Sequence, residues 1–387
     1  MSPRAYVAWI VGGCVGTLAP VLVLNLLLIG NDYRFDKNRL ASAWQQETRG
    51  VTYAPPISQN RSFKTLRLND RLRDINALVF GSSTMMGMTA EAWPSALLPY
   101  NFAQSGNSLQ AVIGEAEYAL TQWGARLRVV VIPLDWSVGF IYLAGEPPPT
   151  DLSVTRVMPA VAPSLAAQLR EGLSLPRLRT LAGVLRDTVL TLRSATAARP
   201  FFTGPAGAPY RCADGTPARD YDLLFRGHCV GFRYDGSATF ADQKRVTAAE
   251  APGALARAAS ASSQYAKALA RTAGEPDAKM LARIAALVAS ARTRGTRVIL
   301  LLPPLLPALD ARLDASPHSG RHLQRTKSVL QAWAKQHEII LFDAGRSEQF
   351  GCTATEFIDA HHALPGCYQK VMSAFFAGTA AMTQLRP

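Results

Sequence analysis

The sequence predicts an α/β protein: a parallel sheet covered by helices on both faces, in three α/β/α layers, with a mainly helical insertion and one N-terminal transmembrane helix. Three observations carry this. Short runs such as Leu127–Leu134 and Arg297–Leu302 are apolar almost without interruption, as strands buried on both faces must be. These runs alternate with stretches of helical periodicity. The segment from Ala5 to Asn31 contains no charged residue.

The uncharged segment comes first. At about 1.5 Å per residue it reaches roughly 40 Å as a helix, more than the ~30 Å hydrocarbon core requires. Pro20 lies inside it, which a spanning helix tolerates. We read residues 1–31 as the anchor. Residues 32–73 are polar and mixed in charge, with Pro55-Pro56 breaking any long helix, and read as a stalk with a first packing segment. The main domain is expected over residues 74–387, interrupted by an insertion at about 145–275.

Within that domain Ile75–Phe80 is a β-rich run and Pro99–Ala103 a weaker one. Asn107–Trp123 has helical spacing, with Ala111, Ala116, Leu120 and Trp123 near one face and Gly124 at its end. Leu127–Leu134 is a buried strand. At Pro147-Pro148-Pro149 the pattern breaks. In the segment that follows, Leu178, Leu181, Leu185, Val189 and Leu192 fall on one helical stripe, beside a basic stripe of Arg179, Arg186 and Arg193. That pairing suits a core helix with a solvated edge, or a helix against anionic headgroups or acidic glycan. The alternation then resumes: Ala278–Arg294 as a helix closed by Gly295, Arg297–Leu302 as a strand, Leu323–Gln336 as a helix, Glu338–Phe342 as a strand, and Tyr368–Met382 as a final helix.

Composition bounds the function. The chain has 387 residues, 48% of them hydrophobic and 18% charged, which excludes wholesale disorder. Its net charge of +13 permits attraction to anionic lipid, acidic polysaccharide or nucleic acid. No nucleic-acid-binding signature accompanies that charge, so nucleic acid is not expected as a partner. No phosphate-loop spacing is present. His228, His318, His322 and His337 give no metal-ligand spacing, and neither a metal nor another cofactor is expected.

Two pieces carry chemistry. Gly81-Ser82-Ser83-Thr84 follows the first strand, where open α/β sheets place their ligands. A glycine there lets the chain turn sharply, and a serine at the following helical turn exposes its hydroxyl. The plainer role for such a turn is a helix N-cap. Far along the chain, Asp359-Ala360-His361-His362 presents a D-x-x-H spacing just before the last helix. A serine, a histidine and a carboxylate are the parts of an acyl-transfer or hydrolytic triad.

Together the two pieces resemble the SGNH (GDSL-like) hydrolase superfamily, with its flavodoxin-like sheet. Within it the chain is similar to the membrane-anchored group that includes the lipoteichoic-acid D-alanylation protein and the alginate-type O-acetyltransferases. The resemblance covers about 75–144 and 275–387 and the single span, but not the insertion. It implies Ser83 as nucleophile, with Ser82 in place of the usual Asp. It implies Gly106, in the stretch YNFAQSGNS, as a backbone oxyanion donor, His362 as general base and Asp359 as the group that orients its ring. His361 remains a rival base. One block departs from the pattern. Where an Asn normally completes the oxyanion hole, the chain reads VVIPLDWSVGF, with Asp135. A carboxylate repels an oxyanion, so Asp135 is expected to serve structure or substrate binding, or else catalysis is weakened.

The expected function is therefore acyl transfer through a seryl ester to or from a cell-envelope polysaccharide or glycan. The alternatives are an O-deacylase of the same fold, and a non-catalytic glycan-binding partner of a multi-span membrane O-acyltransferase. Besides Cys14 in the span, the cysteines form two local pairs, Cys212 with Cys229 and Cys352 with Cys367. Such pairs point to disulfides and to an extracytoplasmic domain. The charges flanking the span, Arg4 on one side and Arg34, Lys37 and Arg39 on the other, do not favour a cytoplasmic N-terminus.

Overall fold

The structure is a computed structural model that describes residues 2–24, 51–53, 60–135, 231–239, 273–317 and 319–378, with isolated positions between them. The chain divides into two compact units, Met1–Ala54 with Met158–Cys229, and Pro55–Val157 with Val230–Pro387. Of the first unit, the described parts are a helix, α1 (Pro3–Leu24), and a two-residue parallel pairing of Val51–Thr52 with Arg219–Asp220. α1 contains a segment, Pro3–Val23, long and apolar enough to cross a membrane. The rest of the expected span, residues 25–31, and the leucine and arginine stripes lie outside the described residues.

The second unit holds a five-stranded, all-parallel sheet: β1 (Ala77–Val79), β2 (Pro99–Asn101), β3 (Val129–Pro133), β4 (Arg297–Leu302) and β5 (Ile340–Asp343), in the order β2-β1-β3-β4-β5. Ala77 pairs with Pro99 on one side and Val129 on the other. Val129 pairs in turn with Arg297, and Leu302 with Asp343. The central strands are buried along their length except at Arg297, which opens β4, and this burial explains their otherwise unbroken apolar sequence. The order reverses between β1 and β3, and a crevice at such a reversal is where open sheets bind ligands.

Helices α2 (Asn60–Arg71), α3 (Leu109–Trp123), α4 (Ala278–Thr293), α5 (Leu309–Ala315), α6 (Ser319–Gln336) and α7 (Pro365–Gly378) complete the unit. Ser108 caps α3 by accepting from Ala111 N–H at 3.2 Å, and Asp277 caps α4 by accepting from Lys279 and Met280 N–H. Gly295 follows α4 at φ 77°, the left-handed stop that helices favour. Gly124 behaves differently: it stays right-handed, and the chain continues through one 3₁₀ turn, Gly124–Arg126, before β3.

Two segments join the sheet unit from outside its strand-and-helix alternation. α2, within the segment read as a stalk with a first packing segment, belongs to the sheet unit, which begins at Pro55. Its Lys64 is fully buried and donates to the carbonyls of Asn101 and Gly236 at 2.7 Å each, and to that of Ala103. Burial holds the Lys64 ammonium well below its ordinary pKa, against the pull of Asp235 and Glu115. The insertion, expected to be mainly helical, contributes an antiparallel hairpin, Gly231–Phe232 with Ala238–Thr239. Its turn accepts the Asn101 N–H at Asp235 O, 2.7 Å, and Ala238 N–H donates to Met86 O at 2.8 Å.

Candidate active site

The first strand delivers its serine through a bend. Phe80 N–H still donates to Val131 O, and then Gly81 turns at φ 145°. A Cβ at Gly81 would sit 2.6 Å from Met85 Cγ and 2.8 Å from Pro133 Cγ, so glycine is required by both backbone and space. A single 3₁₀ turn follows, Ser83–Met85. The two serines divide the work that a Gly-Ser-Ser turn can do. Ser82 is the N-cap: it is buried, and its hydroxyl accepts from Thr84 N–H at 3.4 Å and pairs with Thr84 Oγ1 at 3.0 Å. Ser83 is left facing outward, with its Oγ 2.8 Å from His362 Nε2.

His362 stands in a small hairpin closed by an antiparallel bridge between Phe357 and Ala363. Ile358 N–H donates to His362 O at 3.0 Å, and Leu306 N–H, from the loop after β4, donates to Ala360 O at 2.9 Å. A disulfide between Cys352 and Cys367 brackets this loop. Cys212 and Cys229 lie outside the described residues, and Cys14 is a free, exposed thiol in α1.

Asp359 completes the relay. Its Oδ2 is 2.7 Å from His362 Nδ1, and its Oδ1 accepts the N–H groups of His361 and His362, each at 2.9 Å. Burial works to raise the Asp359 pKa. The hydrogen bond and charge of the His362 ring, with lesser help from His361, outweigh it and hold the carboxyl well below the usual range. An ionised carboxylate only accepts hydrogen bonds. In the neutral form of the ring the proton on His362 is therefore on Nδ1, which leaves Nε2 to accept from the Ser83 hydroxyl.

His361 is placed beside this relay. Its Nδ1 is 3.9 Å from Asp359 Oδ1, and its ring centroid lies 4.4 Å from that of His362 and 6.3 Å from that of Tyr265. Burial lowers its pKa against the pull of Asp359, with a smaller push in the same direction from His362 and a smaller opposing pull from Asp135. Asp135 lies just beyond β3, and its charge acts on both His361 and Tyr368.

Gly106 lies on the exposed loop after β2, at φ 69°. Gln104 N–H donates to Gly81 O at 3.1 Å, which sets this loop alongside the Ser83 turn.

Several positioning residues escaped the sequence reading. Tyr368, on α7, donates its hydroxyl to Thr84 O at 2.6 Å and ties the last helix to the serine turn. Its burial, with the charge of Asp135, raises its pKa. Asn101, at the end of β2, donates to Met85 O at 2.8 Å and Met88 O at 2.9 Å, closing the turn from the other side. Gly87 packs against the histidine loop so closely that a Cβ there would collide with the carbonyl oxygen of Ala363. None of these is a motif residue. The one available signal was the glycine four residues after Ser83, between two methionines.

Asp359, His361 and His362 present ligand atoms all within 4.8 Å of one another, and among the described residues they are a group that could hold a metal ion. Both His362 ring nitrogens are already engaged, one with Asp359 and one with Ser83. Metal ligation through that histidine would break the relay. No family model, curated protein or solved structure matches this chain.

Proposed function

We propose that the chain is a membrane-anchored, extracytoplasmic acyltransferase of the SGNH type, acting on a cell-envelope polysaccharide or other glycan through an acyl ester on Ser83. The observation that carries this reading is the continuous path from Ser83 Oγ to His362 Nε2, 2.8 Å, and from His362 Nδ1 to Asp359 Oδ2, 2.7 Å. Residues 279 positions apart in sequence meet in bonding geometry at the end of a parallel sheet. The SGNH resemblance of the sequence supports a three-layer reading of the domain, and the strand order is compatible with it. The apolar α1 supports the anchor, and the Cys352–Cys367 bridge supports an oxidising compartment.

In this reading His362 takes the Ser83 proton as Oγ attacks the acyl carbonyl, and Asp359 stabilises the imidazolium that forms. The N–H groups of Ser83 and Gly106 receive the developing oxyanion. His362 then returns the proton to the departing oxygen, leaving the acyl group on Ser83. A sugar hydroxyl, deprotonated by the same imidazole, resolves the ester. If water does so instead, the same machinery is an O-deacylase. A multi-span membrane O-acyltransferase is a candidate partner for supplying the acyl group.

The test is labelling of the detergent-solubilised protein with a fluorophosphonate. Labelling should be lost in Ser83→Ala and kept in Ser82→Ala. Equal labelling of both variants would overturn the nucleophile assignment. Transfer to added oligosaccharide against release of free acid separates transferase from esterase.

A further inference from the structure

The loop that carries Gly106 has an unusual mooring. Its tip, Ser105-Gly106, is exposed, and among the described residues no sheet hydrogen bond reaches it beyond Gln104 N–H to Gly81 O. The residues on either side of the tip are both amides, and both donate to one carboxylate. Gln104 Nε2 donates to Glu115 Oε1 at 3.1 Å, and Asn107 Nδ2 donates to Glu115 Oε2 at 2.9 Å. Glu115 is fully buried on α3, in the middle of an otherwise apolar face. Its remaining partner is Arg61 of α2, whose Nη1 donates to Oε1 at 2.5 Å.

A buried carboxylate costs several kcal/mol unless it is fully hydrogen-bonded, so a core position facing apolar neighbours would ordinarily hold an apolar residue. Here each oxygen takes one flank of the same short loop. With two carboxylate oxygens in a fixed plane, the separation of Gln104 and Asn107 is set, and with it the position of the two residues between them. Lys64 of α2 secures the residues just before, through the carbonyls of Asn101 and Ala103.

We propose that Glu115 is the positioning residue for the oxyanion donor: it clamps the Gln104–Asn107 loop so that the Gly106 N–H is fixed relative to Ser83. The inference rests on the acyl-enzyme reading above. Glu115 touches no reacting atom and acts through the loop. An oxyanion donor contributes about 10²–10³ in rate, and a donor left free to move forfeits part of that. The loss is expected on the bond-forming step, because Glu115 is buried and reaches the site only through the loop it holds.

The test uses the full-length protein in detergent and the two-step kinetics of fluorophosphonate labelling, which separates reversible binding (KI) from phosphonylation (kinact). Phosphonylation also develops negative charge on an oxygen held by the same donors. Glu115→Gln replaces one accepting oxygen with an amide that faces a donor. Asn107→Ala removes one strand of the clamp from a partly exposed side chain and does not threaten folding. Both variants are expected to lose about tenfold or more in kinact with KI changed less than twofold. Wild-type kinact in Asn107→Ala, or in a Glu115→Gln protein with a native melting profile, overturns the clamp. So does a loss confined to KI. If the wild-type protein itself fails to label at Ser83, the acyl-enzyme reading falls, and this inference falls with it.

Discussion

Gly87→Ala offers a test of the site's geometry from a residue that carries no functional group. The Ser83 turn and the histidine loop touch at Gly87, where a built Cβ lies far inside contact distance of the Ala363 carbonyl oxygen. Backbone oxygen and a carbon atom approach one another to about 3.3–3.6 Å without strain, so the two segments must part by roughly 1 Å. Ala363 directly follows His362. If the displacement is shared along that loop, the Ser83–His362 separation grows from 2.8 Å toward roughly 4 Å, beyond hydrogen-bonding reach. Misplacement on that scale costs about 10²-fold in rate, while overpacking costs only about 1–3 kcal/mol in stability. The assay is the fluorophosphonate labelling rate of Gly87→Ala beside its thermal melt. A folded protein with labelling down about 100-fold is expected. A folded protein labelling at the wild-type rate would refute the claim that this contact sets the serine–histidine distance.

Further outcomes follow from the same geometry. Asp359→Asn should keep the fold but lower labelling by about 10³-fold or more, because the wrong ring tautomer is favoured; near-normal rates would remove Asp359 from the relay. Because the Asp359 carboxyl is held below its unfolded value, its contribution to stability is present above about pH 4 and is lost on acidification below that, which urea melts at pH 3–6 of wild type and Asp359→Asn should reveal. Glu115 has the opposite sign: burial outweighs Arg61, Asn107 and Lys64 and pushes its pKa up to about 7. Its share of stability is therefore greatest below its unfolded value near pH 4.5 and declines as pH rises to about 7, a slope that Glu115→Gln should flatten. Reductant should expose Cys352 and Cys367 to alkylation and destabilise the histidine loop by about 3 kcal/mol, the value for closing a loop of about 15 residues; alkylation without reductant would argue against the bridge.

The features legible in the sequence were those written locally. Arg297–Leu302 reads as a buried strand because every residue after the arginine is apolar, and the structure has a strand over those same residues. Ser83 and the D-x-x-H group stand out in the sequence because a small set of side chains can do acyl chemistry, and the structure brings Ser83, His362 and Asp359 within hydrogen-bonding distance. What was not legible depends on partners distant in sequence. Nothing local marks Tyr368 as the donor to Thr84, or Gly87 as the floor beneath Ala363. Glu115 reads as an ordinary polar position on a helix until Gln104, Asn107 and Arg61 converge on it. The partners of α2 are illegible for a related reason. A packing segment is expected within residues 32–73, but its buried face carries Lys64, Arg67 and Arg71, and only the fold shows the backbone carbonyls and aromatic rings that receive them. Helix ends are blurred locally: periodicity places the last helix over Tyr368–Met382, whereas it begins at Pro365, where proline fits the first turn.

The central claim is that Ser83 forms a covalent acyl ester. The most direct measurement is peptide mapping by mass spectrometry after brief reaction with an activated acyl ester and an acid quench. The account predicts one acyl group on Ser83, absent from Ser83→Ala and accumulating when His362 is replaced only if deacylation is slowed more than acylation. An acyl group on Ser82 or His361, or no covalent adduct under conditions in which the ester is consumed, would contradict it.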